Sequence, residues 1–210
     1  MKYPKLRELK EAIKALIVGP YTSKYPFEPH TPPEKFRGKP VVDEDYCIGC
    51  MACSSVCPPE AIKVVDDPET GVRTILRYTD RCIFCGQCHA NCTTEKGVQM
   101  SHEYDLAAFD RESLCDRQEF ELVLCEKCNA VIGARKHLIW LAKKLGPLAY
   151  SNFNLIMTSQ RELSICEEVP PGPSMEKEDK EEQPPTRTDM FRILCPRCRH
   201  QVLIYDQYGK

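Results

Sequence analysis

The chain has 210 residues, 14 of them cysteines, and 42% of its residues are hydrophobic. Its 29 Lys and Arg residues against 31 Asp and Glu residues give a formal net charge of -2. This composition excludes a wholly disordered chain, and the near-neutral charge argues against nucleic acid as a partner. The length fits one or two domains of about 100–200 residues each.

Cysteine usage depends on the cellular compartment. The first 30 residues contain no apolar segment followed by a small-residue cleavage site, so the sequence predicts no secretory signal. No stretch approaches the roughly 20 apolar residues that span a bilayer. We therefore expect a cytoplasmic, reducing environment, in which cysteines at this density bind metal rather than form disulfides.

The first 40 residues predict a helix followed by an arm. Apolar residues recur at helical spacing from Leu6 to Ile17, and Gly19-Pro20 ends the run. Six prolines in residues 20–40 predict an extended arm. Residues 1–40 hold nine Lys and Arg against four Asp and Glu. This basic helix is either a solvated face or a surface that docks on a membrane or a large partner.

Residues 41–115 contain an internal repeat of cysteines. Four cysteines spaced as in bacterial two-cluster ferredoxins recur after 35 positions. In that arrangement, each run gives three ligands to one [4Fe-4S] cluster and its fourth ligand to the other. The sequence therefore predicts one cluster bound by Cys47, Cys50, Cys53 and Cys92 and a second bound by Cys82, Cys85, Cys88 and Cys57.

Other interpretations of this repeat are weaker. A double zinc knuckle usually pairs two separated C-x2-C units, whereas here four cysteines follow one another in each run. An oxidised disulfide framework is the other alternative. Thr93 stands where proline usually follows the last cysteine, but all eight ligands are present. His89 is either a surface side chain or one that tunes a cluster. Residues 62–65 and 72–76 predict a β-hairpin between the runs.

Residues 116–210 contain two C-x2-C pairs, each after a predicted strand. Four thiolates would bind one metal ion tetrahedrally, as in a rubredoxin or zinc ribbon, and the spacing allows zinc or iron. The predicted ligands are Cys125, Cys128, Cys195 and Cys198. His200 is an alternative ligand. Asn129 suits the left-handed backbone that closes such a knuckle, whereas Arg199 suits it less.

The remaining features of this region concern its secondary structure. Residues 120–124, 191–194 and 202–205 predict strands, and residues 134–145 predict a helix that ends at Gly146-Pro147. Residues 167–189 combine five prolines with a run of charges, which predicts a mobile loop. The two cysteines outside the sets, Cys115 and Cys166, are predicted to be small buried apolar residues.

Three segments around the repeat, residues 36–39, 80–88 and 103–107, resemble the two-cluster ferredoxin subunit of respiratory complex I and of membrane-bound [NiFe] hydrogenases. The resemblance covers residues 1–115. The second half is similar to the tail of the formate hydrogenlyase ferredoxin subunit, which favours the hydrogenase branch.

The resemblance, together with these motifs, implies an α+β protein in three parts. Residues 1–40 form an amphipathic helix and docking arm, residues 41–115 a bacterial-type two-cluster ferredoxin domain, and residues 116–210 a rubredoxin-like or zinc-ribbon-like region.

The function implied is electron transfer without a substrate site. The resemblance places the chain between an electron-input iron–sulfur subunit and the hydrogenase small subunit, peripheral on the cytoplasmic face of the membrane. Its N-terminal helix would lie against membrane-arm proteins. A free ferredoxin shuttle and the equivalent subunit of another complex I-like oxidoreductase are the alternatives. A catalytic role for the tail metal is disfavoured, because four cysteines leave no open position for a substrate.

Overall fold

The computed structural model describes residues 5–19, 22, 25–28, 30–163 and 191–208. The loop predicted at 167–189 and Cys166 lie outside the described residues. The chain divides into two compact units, Met1–Phe36 and Arg37–Lys210.

The first unit contains helix α1, Leu6–Val18, at the position where the sequence periodicity predicts a helix. The helix begins where a carboxylate oxygen of Glu8 accepts a hydrogen bond from the backbone N–H of Lys5 at 3.1 Å. It ends at Gly19, whose φ of 88° is accessible to glycine at little cost. None of the residues of α1 is buried, so the apolar stripe of this helix is not part of a core.

The second unit is built from short strands and helices around two antiparallel sheets. One sheet pairs β1 with β4, and the other has the order β2-β3-β5-β6. The strands are β1 (Pro40–Val42), β2 (Ile62–Asp67), β3 (Val72–Tyr78), β4 (Val98–Met100), β5 (Cys115–Leu124) and β6 (Val131–Ala134). The helices are α2 (Ala52–Ser55), α3 (Gln87–Ala90), α4 (Arg135–Leu145), α5 (Phe153–Glu162) and α6 (Pro196–Tyr208).

The cysteine repeat is also a repeat of backbone conformation. Three positions in each run have φ between 50° and 77°, the left-handed region, and each pair is separated by 35 residues. The pairs are Gly49 and Phe84, Met51 and Gly86, and Glu60 and Glu95. The first two pairs lead each run into its short helix, α2 or α3, and the third follows the last cysteine of the run, so that the two halves present their cysteines in similar loops.

The predicted hairpin between the two runs is confirmed as β2 and β3, which pair antiparallel from Ile62 and Arg77 to Asp67 and Val72. Strand β5 then pairs with the other edge of β3 along its whole length. The predicted strand at 120–124 is therefore part of a longer one. Phe120 of β5 packs in a core with Ile62 and Ile75 and with two cysteines of the first run. One sheet thus connects the repeat with the first C-x2-C pair.

The C-terminal part contains one correct helix prediction and two wrong strand predictions. The helix predicted at 134–145 is confirmed as α4, with Gly146 at φ 55° directly after it. The strand predicted at 202–205 is wrong, because these residues belong to α6. Pro196 at the first position favours a helix start, and the buried residues Cys195, Cys198 and Val202 follow helical spacing. The predicted strand at 191–194 is likewise absent.

Candidate metal centres

The first candidate site is a cavity lined by four cysteines, three of them from the first run. Apolar side chains, among them Ile48, Ile75 and Val98, complete its wall. Burial raises the pKa of the Cys53 thiol, and the positive charge of Arg77 opposes part of that rise. The cysteines of this set are Cys47, Cys50, Cys53 and Cys92.

Cys92 is the member of this set that comes from the second run. Burial raises the pKa of its thiol, but hydrogen bonds from the Thr94 hydroxyl and from the backbone N–H groups of Thr94, Val98 and Gly97 outweigh this effect and lower it. Its Sγ lies 3.5 Å from the hydroxyl oxygen of Thr94. The loop after Cys92 is therefore arranged to favour a thiolate.

The second candidate site has the reciprocal composition. Its cavity is lined by Cys57 from the first run and by Cys82, Cys85 and Cys88 from the second. Burial raises the pKa of the Cys88 thiol to about 11 and also raises that of Cys82. Backbone N–H groups point at two of the sulfurs: Ala61 donates to Cys57 Sγ at 3.3 Å, and Phe84 donates to Cys82 Sγ at 3.4 Å.

The chemistry of both cavities fits iron–sulfur clusters. Thiols whose pKa is raised by burial stay protonated near neutral pH unless a metal displaces the proton. Backbone donors to sulfur and an apolar wall are the features by which proteins stabilise and tune bound clusters. Each cavity gathers the four cysteines that the sequence assigns to one cluster. The ligation itself stays a prediction.

Two polar residues near the runs have defined contacts. Thr93 replaces the usual proline, and its hydroxyl oxygen lies 3.1 Å from Cys50 Sγ. His89 is half-buried rather than fully exposed, and its Nδ1 lies 2.8 Å from the carbonyl oxygen of Val98. The hydroxyl of Thr93 is thus a potential donor to a cluster ligand, while His89 holds the loop to β4.

The sequence analysis missed two buried arginines on β3. Arg73 binds both carboxylate oxygens of Asp66, at 2.6 and 2.8 Å, and donates to the carbonyl oxygen of Gly49 at 2.9 Å. Arg77 donates to the side-chain oxygen of Gln118 and lies with Nη2 3.8 Å from Cys53 Sγ. Only the alternation along β3 could have indicated them, since they share a face with Ile75.

The third candidate site lies at the junction of β5, β6 and α6. The ligand sulfurs of all four predicted cysteines lie within 4.8 Å of one another. Asn129 closes the first knuckle with φ 55°, as its position predicts, and donates its backbone N–H to the carbonyl oxygen of Cys125 at 2.9 Å. The group consists of Cys125, Cys128, Cys195 and Cys198.

The second pair of this site lies at the start of a helix rather than in a strand-flanked knuckle. The backbone N–H of Cys198 donates to Cys195 Sγ at 3.5 Å and, as the largest cause, lowers the pKa of Cys195 to about 7. Burial raises the pKa of Cys198. His200 is exposed and is not part of the cysteine group.

Asn154 of α5 fixes the segment that precedes this second pair. Its side-chain nitrogen donates to the carbonyl oxygen of Leu194 at 2.8 Å, and its side-chain oxygen accepts from the backbone N–H of the same residue at 3.1 Å. The guanidinium of Arg199 donates to the same oxygen at 2.9 Å. These contacts hold the start of α6 against α5.

Comparison with known proteins agrees with this arrangement. A 4Fe-4S dicluster domain matches residues 46–96, which include all eight cysteines of the two runs. Formate hydrogenlyase subunit 6 of Escherichia coli is 37% identical over 125 residues, covering 60% of this chain and 69% of the relative. NADH-quinone oxidoreductase subunit I 2 of Geobacter metallireducens is 33% identical over 120 residues, covering 53% and 91%. The chain belongs to the family of these dicluster subunits.

Other members of the family match over a smaller part of their length. NAD(P)H-quinone oxidoreductase subunit I of Gloeobacter violaceus is 38% identical over 101 residues, which cover 45% of this chain and 47% of the relative. Among solved structures, a chain of the membrane-bound sulfane sulfur reductase, an archaeal respiratory membrane complex, is 29% identical with a TM-score of 0.39, covering 54% of this chain and 61% of that chain. As a member of this family, the chain is an iron–sulfur electron-transfer protein.

Proposed function

We propose that the chain relays electrons through two [4Fe-4S] clusters within a membrane-associated hydrogenase assembly of the formate hydrogenlyase type. The observation that carries this proposal is the pair of cysteine-lined cavities, each with three cysteines from one run and one from the other. The proposed ligands of the first cluster are Cys47, Cys50, Cys53 and Cys92. Those of the second are Cys82, Cys85, Cys88 and Cys57.

Each cluster, when bound, would accept and release one electron. The protein around it has to hold the ligands, exclude water and set the local charge. Of the apolar residues between the ligands, Ile48 and Phe84 fit the second task, whereas Ile83 lines the second cavity but is 60% exposed; the donors to sulfur fit the third. The four C-terminal cysteines form a third group of metal-ligating side chains, and a tetrathiolate site leaves no open position for a substrate.

The proposed setting is a peripheral subunit on the cytoplasmic face of the membrane. Among the described residues, no helix is long and apolar enough to cross a bilayer. The exposed stripe of α1 provides a surface for membrane-arm proteins, and the relatives are themselves subunits of larger enzymes. The proposed electron partners are an iron–sulfur input subunit and the hydrogenase small subunit.

We further infer that the four C-terminal cysteines bind one structural zinc ion. Four thiolates close the site, and its second pair lies at the N-terminus of α6, where the helix dipole and free N–H groups favour the negative charge of a tetrathiolate zinc site. Three of the cysteines, all except the exposed Cys128, pack with Leu194 and Val202 in a small core, which metal binding would stabilise. Mononuclear iron of the rubredoxin type is the competing occupant.

Metal and sulfide analysis of anaerobically purified protein tests both assignments. We expect about eight iron and eight acid-labile sulfide per chain, as two cubes require, and about one zinc. Four iron or fewer would contradict the two-cluster proposal, and a ninth iron in place of zinc would contradict the zinc assignment.

A single substitution tests the crossed ligation. Cys92→Ser is expected to damage the cluster held by Cys47, Cys50 and Cys53, with loss of about four iron per chain. Cys115→Ser is the matched control, since Cys115 lies at the start of β5 outside the three cysteine groups and its substitution should leave the iron content unchanged. Electron paramagnetic resonance distinguishes the clusters, and loss of only the other cluster would refute the crossed arrangement.

A further inference from the structure

Arg77 is a buried cation between the two cysteine-lined cavities. Its side chain is 3% exposed. On one side, its Nη2 lies 3.8 Å from Sγ of Cys53, which belongs to the first cavity. On the other side, it lines the second cavity together with Cys57 and the three cysteines of the second run. No other basic residue lines either cavity in the described part of the chain.

The charge of Arg77 has no carboxylate partner among the described residues. The equally buried Arg73, four residues earlier on the same face of β3, is neutralised by the two oxygens of Asp66. Asp116, the carboxylate that lines the second cavity, is paired with Lys39 at 3.0 Å instead. Besides Cys53 Sγ, the side-chain partner of Arg77 is the neutral oxygen of Gln118, and the buried Nε of Arg77 has no hydrogen-bond partner.

A buried charge without a counter-ion is strongly unfavourable, so the fold has to provide a negative group near Arg77. A [4Fe-4S] cluster with four thiolates carries net negative charge and becomes more negative when it accepts an electron. A nearby cation stabilises the reduced state more than the oxidised one, because the interaction grows with the charge of the cluster.

We propose that Arg77 is the shared counter-ion of both clusters and that it raises the reduction potential of each. This inference rests on the two clusters of the proposed function. Arg77 is a positioning residue that transfers no electron itself. Because Arg77 lies between the cavities, one side chain shifts the potentials of both clusters in the same direction. The ion-paired Arg73 instead donates a hydrogen bond to the carbonyl oxygen of Gly49 in the first loop.

Redox titration of the full chain, followed by electron paramagnetic resonance, tests the proposal. Arg77→Met removes the charge. We expect the midpoint potential of each cluster to become more negative by about 59 mV or more, which is a ten-fold change in the equilibrium of a one-electron couple. Arg77→Lys keeps the charge and is expected to retain most of the wild-type potential. A potential unchanged in Arg77→Met, or shifted equally in Arg77→Lys, would overturn the proposal.

Gln118→Glu supplies a second, independent variant in case Arg77→Met fails to assemble its clusters. It places a carboxylate beside Arg77, so both potentials should again become more negative although the arginine is intact. An unchanged potential in Gln118→Glu would overturn the counter-ion role. Wild-type protein without two clusters would overturn the proposed function as well, whereas two clusters with unaltered potentials in both variants would overturn this inference alone.

Discussion

The hydroxyl of Thr93 contacts the sulfur of a proposed cluster ligand, Cys50, and is expected to affect the potential of the first cluster. Its oxygen lies 3.1 Å from Cys50 Sγ, at the position where proline would offer no donor. Thr93→Val keeps the shape and removes the donor. Since a hydrogen bond to sulfur stabilises the more negative, reduced state, we expect a more negative potential for the first cluster alone.

The size of this effect follows from the net energy of a hydrogen bond, about 0.5–1.5 kcal/mol. The redox equilibrium should change by up to about ten-fold, or 59 mV, in a titration followed by electron paramagnetic resonance. Thr93→Ser keeps the hydroxyl and serves as the control. Equal potentials in the valine and serine variants would show that the contact does not tune the cluster.

The residues that can be predicted from sequence are those whose chemistry is fixed by spacing. Cysteines at fixed short intervals indicate ligands directly, and Asn129 indicates a left-handed turn because its position follows a C-x2-C pair. Arg77 is different. An arginine on a strand is ordinarily expected on the solvent side, and the buried contacts of Arg77 are with Cys53 of α2 and Gln118 of β5, which are 24 and 41 residues away in sequence.

At the scale of elements, the loop of the first run is fitted closely to β5. Gly49 has φ 66°, and a Cβ at this position would lie 2.8 Å from Cγ of Phe120. Gly49→Ala therefore adds two costs, about 1–2 kcal/mol for the left-handed backbone and about 1–3 kcal/mol for overpacking. We expect a lower unfolding temperature and reduced iron content in the purified protein.

Gly71, in the β2–β3 turn, is a matched control. It has φ 69°, but an added Cβ would meet no atom within 4 Å. Gly71→Ala should thus show the backbone cost alone, with full iron content. If thermal unfolding shows equal losses in the two variants, the contact between the first run and Phe120 does not contribute to stability.

Local pattern predicted the elements whose neighbours in sequence are also their neighbours in space. The β2–β3 hairpin and α4 are of this kind. The pattern was wrong for residues 202–205, where an apolar run suggested a strand. In the structure, Val202 is 2% exposed but Leu203 is 40% exposed, so only one side of the run is buried and helical spacing from Cys195 sets that side. The pairing of β5 with β3 is non-local, and no turn signal specifies its register.

At the scale of the whole molecule, α1 distinguishes a fixed subunit from a free shuttle. Its apolar side chains recur on one stripe and are well exposed, with Ile13 at 49% and Leu16 at 87%. A shuttle that visits several enzymes does not need such a stripe, whereas a docked subunit buries it against its partner. The relatives are subunits of larger enzymes, which favours docking.

A charge placed on the stripe tests this docking role. Ile13→Glu should weaken association with the membrane complex by about ten-fold or more, because burying an isoleucine contributes about 1.5–3 kcal/mol and a buried carboxylate is unfavourable. The measurement is the fraction of the chain that co-purifies with membranes from gently broken cells, with iron content confirming that the clusters are intact. Ala15→Glu adds the same charge on the opposite side of α1 and should leave co-purification unchanged. Equal release of both variants would show that the added charge, and not the loss of the apolar stripe of α1, causes the release. Wild-type protein recovered free of membranes would favour the free ferredoxin shuttle.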